Sequence, residues 1–244
     1  YMNNILIKVE NLVKTFGELV ALNDCSLEIK DKAITGIIGP NGSGKTTLFN
    51  VITGNLKPDT GKVFYNGVEI TNEESHDLFH LGVLRTFQIA HEFSNMTVIE
   101  NLMVVPGNQK GERLLYSLMN SQKIKKEDEL IKDKAMEVLK FLKIEHLKNE
   151  RAGNLSGGQK KLLELARTMM VDAKIVFLDE VGAGVNKTLL RDISDSILKL
   201  NQDKGYTFCM IEHDFNFISE LCDPVIVLAE GSVLFKGSAE DVKS

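Results

Sequence analysis

The segment GPNGSGKT, Gly39 to Thr46, places its residues at the spacing G-x-x-x-x-G-K-[ST]. It follows the apolar run AITGIIG and precedes a helix-periodic stretch. Along Gly39, Pro40, Asn41, Gly42, Ser43 and Gly44 the backbone N–H groups, of which Pro40 has none, can turn inward around a polyphosphate. Lys45 adds a point charge for the outer phosphates, and Thr46, followed by Thr47, offers a hydroxyl of the kind that Mg²⁺ takes. A second constellation lies downstream in IVFLDE: four apolar residues, then Asp179 and Glu180. An apolar strand buried on both faces would deliver these carboxylates to a sheet opening. There Asp179 could hold Mg²⁺, and Glu180 could polarise an attacking water. A third stretch, NLSGGQKKLLELAR, puts Ser156, Gly157, Gly158 and Gln159 before an apolar-periodic run. That is how a helix start with free N–H groups is written, and it raises the question of which anion it would meet.

The elements that must position these groups can be read from the periodicity. ILIKVENL alternates Ile5, Ile7 and Val9 as a half-buried strand does. Asn66-Gly67 between two β-rich triplets predicts a hairpin, so a small antiparallel layer is expected near the start. A helix is expected from Lys45 to Ile52, stopped at Gly54. Residues 127–147 are charged and helix-periodic, with Leu130, Lys134, Val138 and Leu142 at steps of four, and VPGNQKGERLLYSL reads as a loop feeding a short helix. Helices are expected over 156–170 and 188–200, with strands IVFLDE and TFCMIEH, a short helix and a closing hairpin PVIVLAEGSVLFKG. Strands alternating with helices predict an α/β fold with a mainly parallel sheet. The expected boundaries are a core of residues 3–88 and 155–244, carrying the antiparallel layer, and an inserted helical subdomain of residues 89–154.

Composition excludes several classes. With 29 basic and 34 acidic residues in 244, the formal charge is −5, against a general nucleic-acid binder. Cys25, Cys209 and Cys222 lie in or beside apolar runs without metal spacing and read as reduced core cysteines. No apolar run reaches membrane-span length, and the N-terminus lacks a signal-peptide layout. Work at a membrane would therefore go through a partner.

GPNGSGKTT, LSGGQ and IVFLDE in this order resemble the ATP-binding subunit of ABC transporters, over nearly the entire chain. The resemblance implies a P-loop NTPase core of RecA-like type, with ATP and Mg²⁺ as cofactors. It implies that two such subunits pair head to tail, with ATP between the phosphate loop of one and the signature of the other. Ser156, Gly157, Gly158 and Gln159 would then meet the γ-phosphate of the partner's ATP, and Ser156 would serve as N-cap as well. By the same resemblance Phe16 would stack on adenine, or else anchor the antiparallel layer. Gln88 would reach Mg²⁺ and the water, and His213 the γ-phosphate. His76, His80, His91 and His146 match nothing in the family.

Two positions depart from the family pattern. Val181 stands where proline is usual, and Asn186 where many members have aspartate. RTFQ followed by MTVIENL is similar to the subunit of branched-chain amino-acid importers. That implies transmembrane permease partners, an indirect link to a substrate-binding protein, and a peripheral place on the cytoplasmic membrane face. The permease would dock beside Gln88 and the insertion, where Phe93, Met96, Val98 and Ile99 form either a docking surface or a core-facing stripe. Two alternatives differ in class: an ATPase for lipid or lipopolysaccharide export, and a soluble ABC protein of translation or DNA repair. The latter usually carries two ATP domains or coiled-coil arms, and neither is seen here. A non-hydrolysing regulatory module is disfavoured because Lys45, Asp179, Glu180 and His213 are all present.

Overall fold

The computed structural model describes residues 4–86, 93–106 and 121–243. Along the chain come β1 (Ile5–Phe16), β2 (Leu19–Lys30), β3 (Ile34–Ile38), α1 (Lys45–Ile52), β4 (Thr60–Tyr65), β5 (Val68–Glu69), α2 (Ser75–His80) and β6 (Val83–Arg85). Next are α3 (Val98–Met103), α4 (Ser121–Phe141), two 3₁₀ turns (Glu145–Leu147 and Ala152–Asn154) and α5 (Gly157–Met169). The chain continues through β7 (Ile175–Asp179), α6 (Lys187–Lys204), β8 (Thr207–Ile211), α7 (Phe215–Leu221), β9 (Val225–Ala229), β10 (Ser232–Gly237) and α8 (Ala239–Lys243). They form two compact units: residues 1–86, 173–183 and 197–244 in the first, 87–172 and 184–196 in the second. The residues expected to form the insertion, 89–154, fall in the second unit, which also takes in 155–172 and 184–196.

The first unit holds both sheets. One is antiparallel, in the order β2-β1-β4-β5, and its β4–β5 hairpin turns at Asn66-Gly67 with φ of 48° and 80°. Both turn residues are in the left-handed region, as a two-residue turn matched to strand twist requires. The other sheet has the order β10-β9-β3-β8-β7-β6. From β9 to β6 its neighbours run parallel, and only β10 runs antiparallel. β3 and β7 are buried up to their last residue and β8 throughout, which is why these segments read as mainly apolar runs. The core joins both sheets to α1 through residues such as Ile7, Leu22, Leu48, Phe49 and Phe177. Phe49 meets Phe177 edge-on, with centroids 4.9 Å apart at 80°. Truncating such a buried ring costs about 3–5 kcal/mol. All three cysteines are free and buried within this unit.

The second unit is helical. α3 opens on a reciprocal cap: Thr97 Oγ1 accepts from the Glu100 amide at 3.3 Å, and Glu100 Oε2 accepts from the Thr97 amide at 2.7 Å. Asn101, fully buried, donates through its side-chain amide to the carbonyls of Phe93 and Thr97 and accepts from the Phe93 N–H. Lys134 donates to the Met170 carbonyl at 2.9 Å, closing the C-terminal end of α5 with a cation. The helix expected within residues 127–147 is present as the later part of α4, which ends at Phe141. Val138 and Leu142 are buried, but Leu130 is 62% exposed, and the buried face continues through Ala135 and Leu139 instead. Strict steps of four drift around a helix of 3.6 residues per turn, so the stripe alternates threes and fours. VPGNQKGERLLYSL lies largely outside the described residues.

Candidate nucleotide site

The phosphate loop hangs between β3 and α1. Gly39 is held where a Cβ would lie 2.1 Å from the Leu228 carbonyl oxygen, and at Gly44 it would lie 2.4 Å from that of Ala21. Gly44, with φ of 97°, is the N-cap of α1. The turn closes by Ser43 N–H to the Pro40 carbonyl at 3.2 Å, and the Ser43 carbonyl accepts from Gly231 N–H at 3.1 Å. At Gly42, with φ of 80°, an added Cβ would meet nothing within 4 Å, so its face of the loop is open. The first amides of α1 have no intrahelical carbonyl to bond, and no acidic side chain occupies its first turn. A helix start of this kind suits an anion.

Lys45 is buried, and its Nζ donates to the Gly39 and Pro40 carbonyls at 2.8 and 2.9 Å. Burial pushes its ammonium below the ordinary lysine range, while the negative charges of Glu180 and Asp179 pull it back up. The charge is therefore held at the loop by neutral carbonyls, in reach of an incoming phosphate.

Phe16, Asn41 to Thr47, Glu180 and His213 line one cleft of about 230 Å³, together with Leu19 and Ala21. Phe16 is 49% exposed at the end of β1, with the Lys14 ammonium over its ring at 5.8 Å from the centroid. Glu180 directly follows β7 and stands in the left-handed region at φ of 48°, an unfavourable conformation for a residue with a Cβ. Its Oε1 lies 2.9 Å from His213 Nε2. The loop after Glu180 is tied down by Glu212, whose Oε1 accepts from Gly182 N–H at 2.7 Å. Burial pushes the Glu212 carboxyl above its usual range.

Asp179 does not line that cleft. Its Oδ2 accepts from Arg85 at 2.6 Å, with both side chains nearly enclosed. Among the described residues Oδ1 has no hydrogen-bond partner, and no cluster of three or more His, Cys, Asp or Glu is placed to hold a metal alone. A hydroxyl and one carboxylate, completed by phosphate and water oxygens, suit Mg²⁺, which keeps much of its hydration. The donors present thus fit that ion. Gln88, expected to join them, lies outside the described residues.

The signature residues belong to the second unit. Ser156 is the N-cap of α5: its Oγ accepts from Gln159 N–H at 3.3 Å, and Gln159 Oε1 accepts from Ser156 N–H at 2.9 Å. At Gly157 an added Cβ would have 3.9 Å to its nearest neighbour, the Gly184 carbonyl oxygen. At Gly158 it would strike the Leu189 side chain at 2.1 Å. Gly157 therefore leaves the helix start open, and Gly158 lets α6 pack against it. Ser156 and Gln159 border a cleft of about 480 Å³ with Asn186, Leu189 and Asp192. Asn186 has a defined structural part: its Oδ1 accepts from Leu189 N–H at 2.9 Å, capping α6. Of the stripe proposed for docking, Val98 is fully buried and Phe93 is 44% exposed, so the stripe is split between core and surface.

Sequence reasoning did not single out Arg85, Asn50 or Glu212. The available signal was a charged residue inside a short apolar strand, VLR, which burial would force to find a counter-charge.

A glycine loop between a buried parallel strand and a helix, with carboxylates at the end of a second parallel strand, separated from the first by one strand of the sheet, defines a P-loop nucleotide-binding ATPase. Residues 22–183 match the family model described as ABC transporter. The chain belongs to the ABC transporter family, as an ATP-binding cassette. Over 97% of the chain it is 43% identical to the "Probable branched-chain amino acid transport ATP-binding protein LivG" of Archaeoglobus fulgidus, covering 91% of that protein. It is 33% identical to the high-affinity branched-chain amino acid transport ATP-binding protein BraF of Pseudomonas aeruginosa, covering 99% of this chain and 95% of that one. A nucleotide-free ATP-binding cassette from an ABC transporter superposes with a TM-score of 0.84 at 41% identity, covering 98% of this chain and 94% of that one. A bacterial ABC transporter cassette solved as a dimer superposes with a TM-score of 0.78 at 26% identity, covering 96% and 99%.

Proposed function

We propose that this ATPase powers import of branched-chain or other hydrophobic amino acids, as a peripheral subunit on the cytoplasmic face of a membrane. The reading of the solute rests on relatives named for branched-chain amino acid transport along the whole chain. In this reading transmembrane permease subunits supply the passage; among the described residues no helix is long and apolar enough to cross a membrane. A substrate-binding protein would reach this chain only through them.

The observation that carries the catalytic reading is the single cleft shared by the phosphate loop, Phe16, Glu180 and His213. In the proposed cycle Phe16 stacks on adenine, and the amides of Gly42 to Thr47 and Lys45 bind the phosphates. Thr46 and Asp179, with Gln88, hold Mg²⁺, which offsets negative charge on the phosphates. Glu180 orients a water for in-line attack, and His213 holds Glu180 and meets the γ-phosphate. Positioning and charge stabilisation do most of the catalysis. Two cassettes close head to tail, each offering Ser156 and Gly158 to the other's γ-phosphate. ADP lacks that phosphate, so hydrolysis removes the difference in affinity that held the closed state.

The test is reconstitution in vesicles with branched-chain amino-acid permease subunits and a matching binding protein. ATP-dependent leucine uptake that fails with Lys45→Ala supports the reading. ATP-dependent release of lipid with no amino-acid uptake refutes it in favour of export.

A further inference from the structure

Arg85 ends β6 and is 7% exposed, with its guanidinium shared between two elements of the site. Nη2 donates to Asp179 Oδ2 at 2.6 Å, and Nη1 donates to Asn50 Oδ1 on α1. The guanidinium also lies over the Phe49 ring, 5.9 Å from its centroid, and Phe49 packs edge-on against Phe177. Its Nε is buried without a partner among the described residues. α1 begins at Lys45 and Thr46; β7 ends at Asp179. One planar fork thus spans the helix that carries the hydroxyl and the strand that carries the carboxylate.

We propose that Arg85 is a positioning residue for the divalent-cation site: by bridging Asn50 and Asp179 it sets the separation of Thr46 and Asp179, and with it cation affinity. This rests on the reading of Asp179 as a cation ligand. Two effects compete. The arginine charge repels a cation and, taken alone, lowers its affinity. Against this, a carboxylate whose orientation is fixed by an outer hydrogen bond binds a metal better, typically by about 10–100-fold. The geometry favours the second effect. The guanidinium occupies only Oδ2, and the fork is held from three sides, so Asp179 cannot rotate without breaking a buried ion pair. A lysine could supply the charge but not the fork.

The experiment titrates Mn²⁺ by EPR into the whole chain with saturating ADP, alongside ADP binding without metal by calorimetry. The expected result for Arg85→Met is Mn²⁺ affinity weakened about tenfold or more, with metal-free ADP affinity unchanged. Arg85→Lys should restore only part of the loss, and Asn50→Ala should weaken Mn²⁺ while leaving the Asp179 pair in place. Unchanged or tighter Mn²⁺ binding in Arg85→Met overturns the proposal. Should that variant fail to fold, Arg85→Lys decides, and wild-type Mn²⁺ affinity there overturns it. Asp179→Asn is the separate control: Mn²⁺ affinity unaffected by it would overturn the ligand reading itself, and the proposal with it.

Discussion

Glu180 Oε1 and His213 Nε2 lie 2.9 Å apart, although 33 residues separate them and each follows a different parallel strand. β7 and β8 are neighbours in register, with Asp179 opposite Ile211, so the first residues beyond both strands emerge side by side. Glu180 also holds a left-handed backbone at φ of 48°, and the structure around it must compensate for that conformation.

Glu180→Gln keeps the shape and the contact to His213 but removes the base. Hydrolysis should fall by about 10²–10⁴-fold. ATP binding should persist, so an ATP-dependent dimer should accumulate on size-exclusion chromatography. Normal turnover in this variant would remove Glu180 from its assigned role.

Phe16 and Lys45 should separate base recognition from phosphate recognition. Phe16→Ala should weaken ATP by about 1–3 kcal/mol, the worth of one aromatic–base stack, and leave tripolyphosphate binding unchanged. Lys45→Ala should weaken both ligands. Calorimetry with the two ligands distinguishes these patterns, and equal losses for ATP and tripolyphosphate in Phe16→Ala would favour the anchoring role.

Asn186 is the N-cap of α6, and aspartate caps a helix equally well. Asn186→Asp should leave thermal stability unchanged, while Asn186→Ala should cost about 1 kcal/mol. If the alanine variant melts like the parent, the cap contributes nothing. The family departure at this position is therefore conservative with respect to fold.

Asp59 holds the end of β1 that carries Phe16. It accepts from Lys14 Nζ at 2.8 Å, and its Oδ2 accepts from the Thr15 amide at 2.7 Å and hydroxyl at 2.8 Å. The Lys14 and Thr15 hydrogen bonds lower its pKa to about 2. A carboxyl lowered on folding adds stability that is complete above its unfolded value, about 3.9, and is lost as pH falls through about 2. Acid melts should show a smaller loss between pH 4 and 2 in Asp59→Asn than in the parent. Parallel melts across that range would exclude Asp59 as a contributor.

Much of the candidate site was legible because its features are local. The phosphate loop needs glycines at Gly39 and Gly44 where a Cβ would strike backbone carbonyls, and a helix needs a cap such as Ser156. Strands β3, β7 and β8 showed as mainly apolar runs because parallel strands are covered on both faces. Leu130 marks the helical period yet is exposed, because a step of four only approximates that period and an exposed leucine is common.

The order of residues alone determined the phosphate loop, the caps, the hairpin turn and the alternation that makes an α/β chain, since each depends on neighbours a few positions apart. Tertiary structure alone decided that Glu180 meets His213, that Glu212 grips Gly182, and that Arg85 joins Asn50 to Asp179. Those pairings follow from strand order in the sheet, and strand order is a property of the packed whole that no local spacing encodes.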